Sequence, residues 1–132
     1  DPFAIETLEN KARTKKPVII SMGMGGSKKK IEKIFLKNHI TFCYCISDYP
    51  LNFKKINWKK AVSFDGFSDH TMNITAAILF AILKKQKKSK QIIIEKHVKL
   101  KNSKGPDAST SIDIKQLSDL ISHIRSIEKA NF

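Results

Sequence analysis

The sequence of 132 residues has no apolar run that approaches the roughly 20 residues of a membrane span, and its first residues show no signal-peptide pattern. Cysteine is also scarce, since the chain has only Cys43 and Cys45. These two lie at positions i and i+2 of an apparent strand, where they share a face but are badly placed to bond to each other. Free thiols are typical of a reducing compartment. We therefore expect a cytoplasmic protein that does not contact a membrane.

Arginine is nearly missing from a strongly basic chain. Arg13 and Arg125 are the only two, so 23 of the 25 basic residues are lysines, and the net charge is +13. Proteins that bind nucleic acids depend on arginine and interleave aromatic side chains with basic ones, whereas these lysines cluster away from most aromatic residues. The charge therefore indicates a solvated, lysine-rich surface that attracts small anionic substrates. A lysine-rich nucleic-acid-binding domain is the less favoured alternative.

Helical and strand patterns alternate along the chain, and 41% of the residues are hydrophobic, enough for the core of one domain. The predicted helices cover residues 2–14, 28–37, 73–83 and 113–129, and the predicted strands cover residues 18–21, 41–46, 62–67 and 92–97. Four such units fit half of a (β/α)8 barrel of the TIM type, since the complete barrel needs about 250 residues. We predict an α/β fold in which residues 1–132 form a partial barrel with two exposed sheet edges.

Polar residues collect where each predicted strand ends, which is the end of a barrel that carries the active site. They are Ser21 after the first strand, Ser47 and Tyr49 after the second, Ser68 and His70 after the third, and Glu95 and His97 after the fourth. One helix separates the last two strands, so we expect these strands to be parallel neighbours about 4.8 Å apart. The pattern predicts that His70 and His97 share one metal ion, with Glu95 and Ser68 beside it.

Five short motifs occur in order: KPVIISMGM at residues 16–24, YP at 49–50, GFSDHT at 66–71, IEKH at 94–97 and GPD at 105–107. Together they resemble the sialic acid synthase family, which includes the N-acetylneuraminate, legionaminate and pseudaminate synthases and related spore-coat polysaccharide proteins. The resemblance covers nearly all of the chain and corresponds to the second half of the family's catalytic barrel. It implies that the first barrel half and a C-terminal antifreeze-like domain lie outside these residues.

The resemblance implies a transferase that condenses phosphoenolpyruvate with an N-acetylated amino sugar, N-acetylmannosamine or a diacetamido hexose, to give a nine-carbon 2-keto sugar acid and phosphate. It also implies a homodimeric full-length enzyme with a divalent metal on His70 and His97, manganese first, with magnesium and cobalt as alternatives. The metal would act as a Lewis acid, and Glu95 would be the catalytic carboxylate beside the two histidines. The implied ligand-binding residues are Ser21, Ser47 and Ser68 for phosphoenolpyruvate, and Tyr49 and Asp107 for the sugar.

Two departures from the family pattern bear on activity. The family's Leu-His-Cys reads Cys43-Tyr44-Cys45 here, which predicts that Tyr44 replaces an active-site imidazole. The family's phosphate-binding lysines and an acidic residue from its first strands have no counterpart in this chain. We therefore expect the isolated chain to be inactive or poorly active. A non-catalytic fragment or decayed paralogue that keeps the fold is the alternative function.

Overall fold

Four short parallel strands form one sheet in the order β1-β2-β3-β4. The computed structural model describes the backbone of residues 2–132 and the side chains from residue 5 onward. The strands are β1 (Val18–Ser21), β2 (Ile40–Tyr44), β3 (Gly66–Asp69) and β4 (Ile93–Lys96). The helices are α1 (Pro2–Ala12), α2 (Lys28–Ile34), α3 (Trp58–Ala61), α4 (Thr75–Gln86) and α5 (Ile114–Lys129). Each strand is followed by a helix, so the predicted alternation of strands and helices is confirmed.

The face of the sheet that packs on the helices carries the main hydrophobic core. Phe67 is fully buried at its centre, where its ring stacks on Tyr44 of β2 and on Phe80 of α4, with centroids 6.0 and 5.2 Å away. Since strand residues alternate between faces, the neighbours of these residues point to the other side. Ile20 packs against the core, whereas Ile19 is 59% exposed on the opposite face. That second face is therefore free to carry functional side chains.

The last helix begins where the sequence predicts it. The Asp113 side chain accepts a hydrogen bond from the Gln116 backbone N–H, and the Gln116 side chain accepts one from the Asp113 backbone N–H. This reciprocal capping box satisfies two backbone donors that helix geometry leaves unpaired. Leu120 and Ile124 then pack α5 into a second apolar cluster with Ala77 of α4. The cluster holds α4 and α5 together on the helical side of the sheet.

The third strand is shorter than predicted. Val62 does not begin a strand but ends α3, a single helical turn that the Asn57 side chain caps by accepting from the Lys60 backbone N–H. Trp58 anchors this turn with its ring 5.9 Å from that of Phe67. Residues 63–65 are needed to lead from this turn back to the sheet, so β3 starts only at Gly66. The apolar side chains of the segment contribute to the core from a turn instead of from a strand.

Within residues 2–132, the outer strands β1 and β4 each pair with a neighbour on one side only. The two open sheet edges expected from four barrel strands are therefore present in the described part of the chain, although Ile112 pairs with the backbone at Val98, just past the end of β4. No helix in this part combines the length and apolar character that crossing a bilayer requires.

Candidate active site

Polar side chains from all four strand ends converge on one pocket at the carboxyl edge of the sheet. The pocket has a volume of about 300 Å³. Nine residues line it: Ser21, Gly23, Met24, Cys45, Ser47, Tyr49, His70, Glu95 and His97. Six of the eight residues singled out in the sequence are among them. The other two, Ser68 and Asp107, each lie against a pocket residue.

His70 is held in one orientation. Its side chain is almost completely buried, and its Nδ1 lies 2.8 Å from the Ile46 carbonyl oxygen. A carbonyl can only accept, so Nδ1 donates a proton to it and Nε2 is the nitrogen that remains for a metal. The Tyr49 ring covers the imidazole, with centroids 4.2 Å apart and a tilt of 30°. His70 is thus oriented so that its Nε2 is able to bind a metal.

His97 lies between two carboxylates. Its Nε2 is 3.7 Å from Glu95 Oε1, and its Nδ1 is 3.6 Å from Asp107 Oδ2. The rings of His97 and His70 meet edge to face, with centroids 5.5 Å apart. One ligand atom from each of His70, Glu95 and His97 lies within 4.8 Å of the other two. Two imidazoles and a carboxylate form a donor set that suits divalent transition metals. Within residues 5–132, no other group of three or more such side chains is as close.

The serines form a separate part of the pocket. Ser21 Oγ and Ser68 Oγ lie 2.5 Å apart and share a hydrogen bond, although β1 and β3 are not adjacent strands. Ser68 is fully buried and Ser21 is exposed toward the pocket. A Cβ atom on Gly23 would lie 2.6 Å from both Cys45 Sγ and Ser47 Oγ. Only glycine therefore lets the backbone pass this close to the two side chains. Three hydroxyl groups therefore lie beside the His–Glu–His cluster.

The uncharged groups of the site stay uncharged at neutral pH. Burial raises the pKa of the Cys43 thiol to about 11, and burial, with the charge of Glu95 second, also raises the pKa of the Cys45 thiol. Desolvation likewise raises the pKa of the Tyr49 phenol. Both cysteines are free thiols, as predicted, and the Cys45 sulfur lies 3.9 Å from His70 Nδ1. The ionisable donors facing the pocket are thus the histidines and Glu95.

A model of the NeuB family matches residues 1–131. The chain belongs to the NeuB family. It is 33% identical over 135 residues to an uncharacterized protein of Methanocaldococcus jannaschii, covering 92% of this chain and 38% of that protein. It is 32% identical over 138 residues to the N,N'-diacetyllegionaminic acid synthase of Campylobacter jejuni, covering 93% of this chain and 40% of the synthase. The solved N-acetylneuraminic acid synthetase of Leptospira borgpetersenii matches 96% of this chain with a TM-score of 0.79 and 27% identity.

These matches confirm the resemblance that the five motifs indicated. They also confirm the fold, because the four parallel strands correspond to half of a TIM-type barrel. The chain covers 46% of the Leptospira structure and 38–40% of the two curated relatives. It therefore spans less than half the length of these NeuB proteins.

One residue is not where the family pattern predicted. Tyr44 does not replace an imidazole in the active site, because its side chain points to the helical face of the sheet and is buried in the core. Its hydroxyl accepts the Asn57 backbone N–H at 3.1 Å. The strand alternation contained the signal, since Cys43 and Cys45 point to the pocket side and Tyr44 lies between them.

Cys45 lines the pocket, a position that was not predicted for it from the sequence. It shares its face with Cys43 and Ser47 at intervals of two residues, which would have been enough to place it there. Asp107 was predicted to bind the sugar, but its carboxylate also lies beside the His97 ring, 3.6 Å from Nδ1. Its carboxylate is 49% exposed at the mouth of the pocket, so it faces solvent as well as the imidazole.

Proposed function

We propose that this chain is the second half of a NeuB catalytic barrel and that the protein carrying it condenses phosphoenolpyruvate with an N-acetylated amino sugar. The amino sugar would be N-acetylmannosamine or a diacetamido hexose, and the products a nine-carbon 2-keto sugar acid and phosphate. The observation that supports this most directly is the convergence of His70, Glu95 and His97 beside the Ser21–Ser68 pair in one pocket of a NeuB family member.

The donor set fits a divalent metal. His70 would contribute Nε2, because its other nitrogen is engaged by the Ile46 carbonyl. His97 would be the second ligand, and the neighbouring carboxylate of Glu95 would add negative charge to the site. Manganese is our first choice, with magnesium and cobalt as alternatives. Bound there, the metal would act as a Lewis acid on the aldehyde oxygen of the open-chain sugar.

The serine hydroxyls are suited to an anionic ligand. If the buried Ser68 hydroxyl donates to Ser21, the Ser21 proton is left free to donate to an oxyanion in the pocket. Ser47 adds a further donor from the end of β2. We assign these three residues to phosphoenolpyruvate. The high positive charge of the protein favours the approach of this trianionic substrate.

The residues at the pocket mouth are suited to the sugar. Tyr49 is a neutral phenol that is 47% exposed, so its hydroxyl is able to exchange hydrogen bonds with sugar hydroxyls. Asp107 offers carboxylate oxygens on the other side of His97. Glu95 is 44% exposed and lies beside the cluster, where its carboxylate can take up or deliver a proton at the reacting centre. We assign Glu95 as the catalytic carboxylate and Tyr49 and Asp107 as sugar-binding residues.

The decisive test uses His70→Ala and His97→Ala, with His123→Ala on the exposed side of α5 as the matched control. The first measurement is Mn²⁺ binding to the 132-residue chain, followed by loss of the free-ion EPR signal. We expect both pocket variants to lose binding and the control to bind like the wild type. Unchanged binding by either pocket variant would refute the shared metal site.

The second measurement is phosphate release from phosphoenolpyruvate with N-acetylmannosamine or a diacetamido hexose. It is made on the protein that carries this segment together with a first barrel half. We expect release in the wild type and none with His70→Ala, and little or none from the 132 residues alone. A complete barrel that releases no phosphate with any of these sugars would instead support a decayed paralogue that keeps only the fold.

A further inference from the structure

Two buried charges lie directly behind the candidate metal site. Asp69 and Lys96 are the last residues of β3 and β4 and are register partners in the sheet. Their side chains are 0% and 3% exposed, and Lys96 Nζ lies 3.3 Å from Asp69 Oδ2. Asp69 Oδ2 makes no hydrogen bond to any described residue, so this lysine is the cation that balances its charge. An ion pair so deeply buried at two strand ends calls for an explanation.

Both members of the pair also bind the turn that contains His70. Asp69 Oδ1 accepts from the Thr71 backbone N–H at 2.8 Å and from the Thr71 hydroxyl at 2.6 Å. Lys96 Nζ donates to the Thr71 carbonyl oxygen. The backbone that follows His70 is therefore fixed to the side chain of a residue on the neighbouring strand.

The placement of the histidines follows from the same residues. His70 comes directly after Asp69, and His97 comes directly after Lys96. Side chains of successive strand residues point to opposite faces, so the ion pair lies on the helical face and the imidazoles lie on the pocket face. Whatever holds Asp69 against Lys96 also sets the distance between the two histidines.

Stability does not account for the pair. Removing two charges from water is costly, and a buried ion pair contributes little or no net stability compared with well-packed neutral side chains. What such a pair supplies is a fixed geometry. We propose that Lys96 and Asp69 are positioning residues that hold His70 and His97 at the separation required to share one metal ion. The functional part of this inference rests on the proposed metal site, whereas its geometric part is testable without metal.

The test variant replaces both charges at once, Lys96→Met with Asp69→Asn, so that no unpaired charge is left buried. Asn at position 69 keeps an oxygen for Thr71. The matched control is Lys84→Met, because Lys84 is the other buried lysine of the described chain and donates to the Val62 carbonyl at 3.2 Å, away from the pocket. Thr71→Val is a milder second variant that removes the hydroxyl contact to Asp69 and a longer one, 3.4 Å, to the Asn73 carbonyl oxygen. Circular dichroism establishes that each variant is folded.

Two quantities are measured for each variant of the 132-residue chain. The first is the NMR cross-relaxation between the ring protons of His70 and His97, which their 5.5 Å centroid distance makes observable in the metal-free protein. The second is Co²⁺ affinity from the visible absorption of the bound ion. We expect the double variant to lose the ring-to-ring signal and to bind Co²⁺ about 10- to 100-fold more weakly. Thr71→Val should lose a few-fold in affinity, and Lys84→Met should change neither readout.

The outcomes separate this inference from the proposed function. A wild type that binds no Co²⁺ would overturn the metal site, while the ring-to-ring signal would still decide the positioning role. A double variant that keeps both the signal and the affinity would refute the role of Lys96 and Asp69. If the double variant does not fold, an unchanged affinity and signal in Thr71→Val would refute it instead.

Discussion

Gly66→Ala tests how closely the strands of the half-barrel approach each other. Gly66 opens β3 and pairs with Cys43 of β2 on one side and with Ile93 of β4 on the other. A Cβ atom at this position would lie 2.4 Å from Cys43 Sγ and 3.2 Å from the Ile93 carbonyl oxygen. Carbon and sulfur do not approach within 3 Å without displacement, and Cys43 is fully buried. The thiol must therefore move, or β2 and β3 must separate.

Two opposing effects determine the size of the loss. Overpacking by one methyl group costs about 1–3 kcal/mol, whereas alanine in a strand recovers roughly 0.5–1 kcal/mol of the conformational entropy that glycine loses on folding. We expect a net loss of about 1–2 kcal/mol in the free energy of unfolding. For a chain of this length, the average unfolding entropy per residue converts that loss into a decrease in Tm of roughly 4–7 °C.

The partner substitution makes the explanation testable. Cys43→Ala removes the sulfur atom that the new methyl group meets, so Gly66→Ala should cost far less in the Cys43→Ala background. Urea unfolding of the wild type, both single variants and the double variant gives the coupling energy, which we expect to be about 1–2 kcal/mol and favourable. Additivity within about 0.5 kcal/mol would refute the steric argument. So would a Gly66→Ala variant as stable as the wild type.

Tyr44→Phe removes the hydroxyl that accepts the Asn57 N–H and should lower stability by about 0.5–1.5 kcal/mol in urea unfolding without changing Mn²⁺ affinity. A loss of Mn²⁺ affinity in this variant would contradict the conclusion that Tyr44 lies outside the active site. The raised pKa of Cys43, about 11 against an ordinary value of 9.0, has a second consequence. Above pH 9 the unfolded chain ionises this thiol while the folded protein keeps it protonated, so stability should fall between pH 9 and 11 by on the order of 2 kcal/mol. The stability of Cys43→Ala should not show this part of the decline. If the stabilities of the wild type and Cys43→Ala fell equally between pH 9 and 11, the prediction would be wrong.

The sequence predicts the site better than it predicts the side-chain contacts. The carboxyl ends of parallel strands meet at one edge, so residues that follow successive strands had to come together, and His70, Glu95 and His97 do. The capping residues Asp113 and Gln116 likewise set the start of α5 through local hydrogen bonds alone. Local rules of this kind depend on neighbours in the chain and need no knowledge of the tertiary packing.

The start of β3 and the burial of Asp69 and Lys96 depend on tertiary packing and could not be predicted from the sequence. Residues 62–67 have an apolar pattern that favours a strand, but residues 62–65 form the turn that follows α3, whose Trp58 packs on Phe67. Only Gly66 onward is left for β3. Asp69 and Lys96 are charged residues of a kind usually found at the surface. Nothing local in the sequence indicates that they are buried against each other.

The residues proposed to bind the metal and those proposed to bind phosphoenolpyruvate come from largely different strand ends, which makes their roles separable by experiment. The proposed metal donors come from the ends of β3 and β4, and the buried pair behind them comes from the same two strands. The hydroxyl groups proposed to bind phosphoenolpyruvate come from β1, β3 and the segment after β2. A change at Ser21 should therefore affect the anionic ligand without affecting the metal, because none of the proposed metal donors lies on β1. The Asp69–Lys96 pair should affect both, because the metal site shares β3 with Ser68.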